Sequence, residues 1–132
     1  MITAIEPTLL DTVRNAVARS IDVEVSEVEP AMTLFGDLEL ESIDLLDVFF
    51  RIEEASGVSL TADDLAGHLQ GGIPDDVFSD DQDVISAEGL THLESAIPGF
   101  RRSDLSGPLK ADEILELVTV ETVALVTQHH QA

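Results

Sequence analysis

The chain has 132 residues, 44% hydrophobic but only 4% aromatic, with five Phe and neither Trp nor Tyr, which suits one compact domain with a Leu, Ile, Val and Ala core packed helix on helix. Twenty-seven acidic residues face six basic ones, a net charge of -21 that repels nucleic-acid phosphates and anionic headgroups and steers in partners with basic surfaces. The absence of cysteine excludes disulfides, zinc–thiolate sites and cysteine nucleophiles, and no apolar run approaches the ~20 residues that span a bilayer.

The N-terminus lacks the basic start and apolar stretch of a signal peptide, so a cytoplasmic protein is expected. The first helix is expected over 7–21, with Pro7 at a first helical position and Leu10, Val13, Val17 and Ile21 at helical spacing. Residues 22–41 hold no period and read as a long loop pinned to the core by Val25, Val28, Met32, Leu34 and Phe35. Val23 to Val25 alternate too briefly for a useful strand. Ser42 then opens a second helix as its cap, with Asp44 favouring the dipole in the first turn. Leu45, Val48, Phe49 and Ile52 form its apolar stripe, Leu46 and Phe50 widen it, and Gly57 ends it.

Thr61 caps a short turn through Asp63, Asp64 and Leu65. Residues 70–85, with Pro74 and many Gly and Asp, read as an irregular acidic loop. Ser86 caps a third helix presenting Leu90, Leu93 and Ile97, which Pro98 and Gly99 stop. A loop with Arg101, Arg102, Gly107 and Pro108 follows. From Lys110 the pattern is helical again, with Ile114, Leu115 and Val118 on a short piece. Thr119 or Thr122 then leads a final helix to about His130. There is no internal repeat and no heptad array.

The segment 35–60 carries the densest pattern: Gly36, then Glu41, Ser42 and Ile43, an acidic amphipathic helix, the pair Glu53 and Glu54, and the exit Gly57-Val58-Ser59-Leu60. It resembles the prosthetic-group site of acyl and peptidyl carrier proteins. Helix one and the stretch Thr119 to Val123 also resemble that family's first and last helices, whereas residues 62–109 do not. Two positions depart from the family pattern: Glu41 stands where Asp is usual before the modified serine, and Ile43 where Leu is usual after it. The departures bear on which transferase modifies the chain, not on the chemistry.

The resemblance implies an all-α fold, an acyl-carrier-like four-helix bundle with an extra helix and long loops inserted between the second and last helices. The whole chain, 1–132, then forms one carrier domain with an insertion at about 62–109. It implies that Ser42 accepts a 4'-phosphopantetheine arm from coenzyme A, put there by a phosphopantetheinyl transferase with Mg²⁺ balancing the phosphates. Glu41 is placed to assist, since hard oxygen ligands suit that ion. A helix N-terminus stabilises the resulting phosphodiester. The arm supplies the thiol that a cysteine-free chain lacks. The bland alternative for Ser42 is a simple helix cap.

Around that serine stand seven acids, Asp37, Glu39, Glu41, Asp44, Asp47, Glu53 and Glu54, offset only by Arg51. The resemblance implies that acyl-loading, transferring and condensing enzymes grip this face through basic docking surfaces. Exposed pairs are worth about 0–1 kcal/mol each, which suits a monomeric carrier that docks and leaves; the alternative is a merely solvated face. Ile43, Leu46 and Phe50 offer an apolar patch, or Leu46 and Phe50 are core. Family members have about 80 residues, within the range of one small domain, so this chain is longer by about fifty. Residues 86–97 are expected to sit beside the carrier's mouth, enlarging the acyl pocket or restricting which enzymes dock. Deleting 70–106 would then alter cargo or partner choice and leave Ser42 modifiable. Arg101 and Arg102 pair with the chain's own acids or reach the arm's phosphate.

Other chemistry is weakly represented. Asp80, Asp81, Asp83 and Glu88 do not fit the EF-hand spacing. His68, His92, His129 and His130 form no i, i+4 pair, so no metal site and no catalytic residue is assigned. There is no nucleophile elbow, phosphate-cradling loop or dinucleotide fingerprint. A carrier for a specialised fatty acid, lipid or polyketide pathway is the expected function. The alternatives are a non-acylated acidic interaction module with the same fold, and a divalent-ion buffer.

Overall fold

The computed structural model describes residues 5–131. Helix α1 spans Pro7–Ser20, with Pro7 in its first turn and Ile21 as its C-cap. Its buried face is Leu9, Val13, Ala16 and Val17. Leu10 and Ile21 are only half-buried, so the stripe is set one residue earlier than the spacing from Leu10 suggests. The loop after it is tied down by Arg14, whose Nε donates to Val28 O at 2.7 Å and whose Nη2 donates to Val25 O at 3.0 Å. Val28 and Leu34 are fully buried, while Val25 and Phe35 pack on the core's edge. The loop pairs with the stretch that leads into the last helix: Leu34 N–H donates to Val118 O and Val120 N–H to Met32 O.

Helix α2, Ser42–Ser56, buries Leu45, Val48, Phe49 and Ile52 and stops at Gly57, whose φ of 79° only glycine adopts without strain. Helix α3, Ala62–Gln70, replaces the short turn expected after Thr61. Thr61 and Asp64 cap it reciprocally: Asp64 N–H donates to Thr61 Oγ1 at 3.1 Å, and Thr61 N–H donates to Asp64 Oδ2 at 2.9 Å. Those bonds to Thr61 hold the Asp64 carboxyl below the ordinary carboxylate range.

Residues 70–85 are not an irregular loop throughout. They contain a one-turn helix, α4, Asp75–Phe78, and antiparallel bridges join Ser79 to Ile85 and Val84 to Lys110. Helix α5, Ala87–Ala96, starts at the expected cap, where Ser86 Oγ accepts from Gly89 N–H at 3.1 Å. The last helix, α6, Val120–His129, follows a 3-10 turn over Ala111–Leu117 and is capped by Thr119.

Among the described residues, α1 packs on α2 and α6, α3 on α6 and α5, and α4 on α5, with isolated bridges and no extended strand. The fold is all-α. Phe78, Ile85, Leu93 and Ile97 lie in the same buried cluster as Val13, Val48, Ile52 and Val123. Each such side chain contributes about 1.5–3 kcal/mol on burial, so residues 62–109 are not a detachable flap. Excising 70–106 would open the core, and point substitutions are the cleaner test of this region.

Candidate functional site

The head of α2 differs from expectation in one telling respect. Ser42 is the first helical residue and Glu41 the N-cap. The capping is done by Asp44, whose Oδ2 accepts the Glu41 N–H at 2.8 Å. Glu39 holds a left-handed φ of 54°, a conformation that costs a non-glycine residue about 1–2 kcal/mol. Leu40 is buried beside it and donates its N–H to Leu34 O at 2.9 Å. The strained turn and the anchored leucine fix the approach, leaving Ser42 exposed with its hydroxyl unbonded among the described residues.

Ser42 lines a groove of about 770 Å³. Leu45, Leu65 and Leu69 supply the apolar floor from α2 and α3. Phe78 of α4, with Ile114 and Leu115 of the 3-10 turn, supplies the far wall. Asp63, Asp75 and Asp83 also line the groove, and no basic residue does. An exposed, unbonded hydroxyl at a helix N-terminus, opening on an apolar trough, fits a phosphodiester-linked arm: the free N–H groups favour the anion, and the trough accepts apolar cargo. Phe78, Asp75, Asp83, Ile114 and Leu115 were not among the site residues expected from sequence. Phe78, an aromatic side chain isolated in an acidic stretch, was the one signal available.

The expected docking residues cluster on the outer face of α2 and its approach. Ile43, Leu46 and Phe50 are 70%, 59% and 58% exposed, so Leu46 and Phe50 do not widen the core stripe. Glu39, Glu41, Glu53 and Glu54 are exposed, and Glu39, Glu53 and Glu54 have no side-chain partner among the described residues. The others are engaged internally. Asp37 Oδ2 accepts from Thr33 N–H at 3.0 Å, Asp44 caps the helix, and Asp47 accepts from Arg51 Nε at 2.8 Å. That Arg51 bond holds the Asp47 carboxyl below the usual carboxylate range.

Arg102 turns to the chain's own acid. Its Nη2 lies 2.9 Å from Glu94 Oε1, its backbone N–H donates to Glu94 Oε2 at 2.9 Å, and Arg102 does not line the Ser42 groove. The pairing lowers the Glu94 pKa and raises that of Arg102. Asp80 Oδ1 accepts from Gln82 and Val84 N–H, a turn that the acidic run closes on itself. No group of three or more candidate metal ligands gathers among the described residues, and none of their helices is long and apolar enough to cross a membrane.

Residues 11–70, from α1 through α3, match the family described as "Phosphopantetheine attachment site". No curated protein and no solved structure shows detectable similarity. Members of that family bear a covalently attached 4'-phosphopantetheine, interact with phosphopantetheinyl transferases and acyl-handling enzymes, and are carriers, not catalysts. Residues 11–70, with Ser42 at the head of α2, thus form a phosphopantetheine-attachment domain of the carrier type.

Proposed function

We propose that Ser42 is the attachment point, and that the chain is a cytoplasmic, monomeric carrier of acyl intermediates for a specialised fatty acid, lipid or polyketide pathway. One observation carries this reading: the Ser42 hydroxyl is exposed, unbonded and at the mouth of an apolar groove. The arm supplies a thiol on which cargo travels as a thioester. The chain's own residues do the rest. The N-terminus of α2 stabilises the phosphodiester, Asp44 keeps the helix capped without using the serine, and the acids around Ser42 attract basic enzymes.

Ile43, Leu46 and Phe50 give those enzymes an apolar foothold flanked by Glu53 and Glu54. Because α4 and the 111–117 turn supply the groove's far wall, residues outside the family match govern what the groove accepts. The common buried cluster supports one domain over 1–132; the family match runs through α3 to residue 70, so the integrated addition begins after it and not at 62. The groove's carboxylates disfavour anionic cargo and suit neutral acyl chains.

Intact mass after co-expression with a broad-specificity phosphopantetheinyl transferase tests the attachment. One phosphopantetheine is expected on the parent chain and none on Ser42→Ala. A bare parent chain overturns the reading and leaves an acidic interaction module. Phe78→Ala, which lowers the far wall, is expected to shift the preferred acyl length in a loading assay while leaving attachment intact.

A further inference from the structure

Histidines from three helices, α3, α5 and α6, meet at one seam. His68 lies on α3, His92 on α5, and His129 and His130 end α6 and its cap. The His68 Nε2–H donates to Ala96 O, the last residue of α5, at 2.8 Å. The His92 Nε2–H donates to His68 O, near the end of α3, at 2.8 Å. A carbonyl only accepts, so Nε2 carries the proton in both rings. Each imidazole therefore satisfies a carbonyl at the C-terminal end of the other's helix. A Cβ at Gly71 would collide with the His92 ring, so glycine there admits the contact. The His129 ring centroid is 5.6 Å from that of His68. A cleft of about 690 Å³ lined by His68, His92 and His129 gives water access to the seam.

The inserted helix passes its position on. Ser86 Oγ donates to Val77 O at 2.6 Å, and Ser86 N–H donates to Phe78 O at 2.9 Å. A Cβ at Gly89 would stand 2.8 Å from Phe78 O and 2.8 Å from Ile85 Cγ2, so α5 and Phe78 move together or not at all. We propose that His68 and His92 are positioning residues, a reciprocal latch that fixes α5 on α3 and Phe78 over the groove, and that acidification loosens it by placing a second proton, and so an unpaired charge, on a half-buried ring beside other histidines.

The charges around the seam decide the direction. On α3, Asp64 faces His130 at 3.3 Å. On α5, Glu94 is taken by Arg102, and Arg101 and Arg102 add positive charge from the following segment. From α6 come His129 and His130. Neither His68 nor His92 has a carboxylate partner among the described residues. The ends of α3 and α5 favour a cation, but burial first, then the charges of His129, His92 and His130, hold His68 below the ordinary histidine value. A base depressed in the folded state contributes stability that is complete above its unfolded value of about 6.5. That contribution is lost as pH falls from there towards the folded value.

The latch does not depend on whether Ser42 carries an arm; only its effect on cargo rests on the proposed function. Hydrogen exchange read by mass spectrometry on the unmodified chain therefore tests it, at about pH 7.5 and about pH 5.5, corrected for intrinsic rates. Protection over 86–97 is expected to fall by up to about tenfold, because pH 5.5 lies about one pH unit below the ordinary imidazole value of the opened state, while α2 holds. His68→Gln with His92→Gln keeps N–H donors and removes titration, and should flatten the response. Equal protection of α5 at both pH values, or an undiminished response in the double variant, overturns the latch. Should the variant fail to fold at the higher pH, an NMR titration of the parent's imidazoles decides: His68 titrating at or above the ordinary value overturns it. A bare Ser42 with a responsive α5 would sink the carrier reading alone.

Discussion

Two serines stand at helix beginnings in this molecule, and they are used in opposite ways. Ser86, before α5, spends its hydroxyl on structure: it accepts from Gly89 N–H and donates to Val77 O. Ser42, opening α2, spends nothing: Glu41 holds the N-cap position, and Asp44 reaches back to bond the Glu41 N–H. The sites share a residue type and a helix terminus, yet one oxygen is consumed and the other is left facing solvent. A reactive position at a helix mouth needs its capping done by a neighbour.

The sharpest way to break that contrast is to exchange the losses. Ser42→Ala should abolish phosphopantetheine addition altogether, read by intact mass, and change unfolding free energy by no more than about 0.5 kcal/mol. If it unfolds the protein instead, the two serines are alike. Next in size, Leu93→Ala beneath α5 should cost about 2–5 kcal/mol in denaturant unfolding. A loss under about 1 kcal/mol would make the region around Ser86 a flap and not core. Ser86→Ala should cost about 1 kcal/mol and leave modification untouched. Smallest in stability is Phe50→Ser on exposed α2, within about 0.5 kcal/mol. Its effect belongs in partner binding, where slower transfer from a condensing enzyme is the expected readout.

Much of α1, α2, α5 and α6 was legible because their apolar residues recur at helical spacing and Gly57, Ser86 and Thr119 mark their ends. Helix α3 was missed for a physical reason: its nine residues bury only Leu65 and Leu69, and Gly67 interrupts a helical composition. The Thr61 cap is visible in the sequence, but a turn and a short helix can both begin with it. The acidic stretch 70–85 hid α4 because one helical turn has no period to detect. Ser42 and the acids around it could be found from local pattern. The groove's far wall could not, since Phe78 and Leu115 are brought together by pairings such as Val84 with Lys110, which no local rule encodes. The exposure of Leu46 and Phe50 was equally out of reach: apolar residues at helical spacing look the same whether they face a core or a partner.

Another consequence follows from how the first and last helices meet. Glu6 N–H donates to Gln128 Oε1 at 2.8 Å, so the start of α1 and the end of α6 lie side by side. Ser106, Gly107 and Pro108 form an exposed turn flanked by the Ile85 N–H to Leu109 O bond. Joining the former pair with a short linker and opening the chain at Gly107 would yield a circular permutant with the same interior. Its new ends would hang from the insertion, ready for tethering to a partner enzyme, while α2 stays unencumbered.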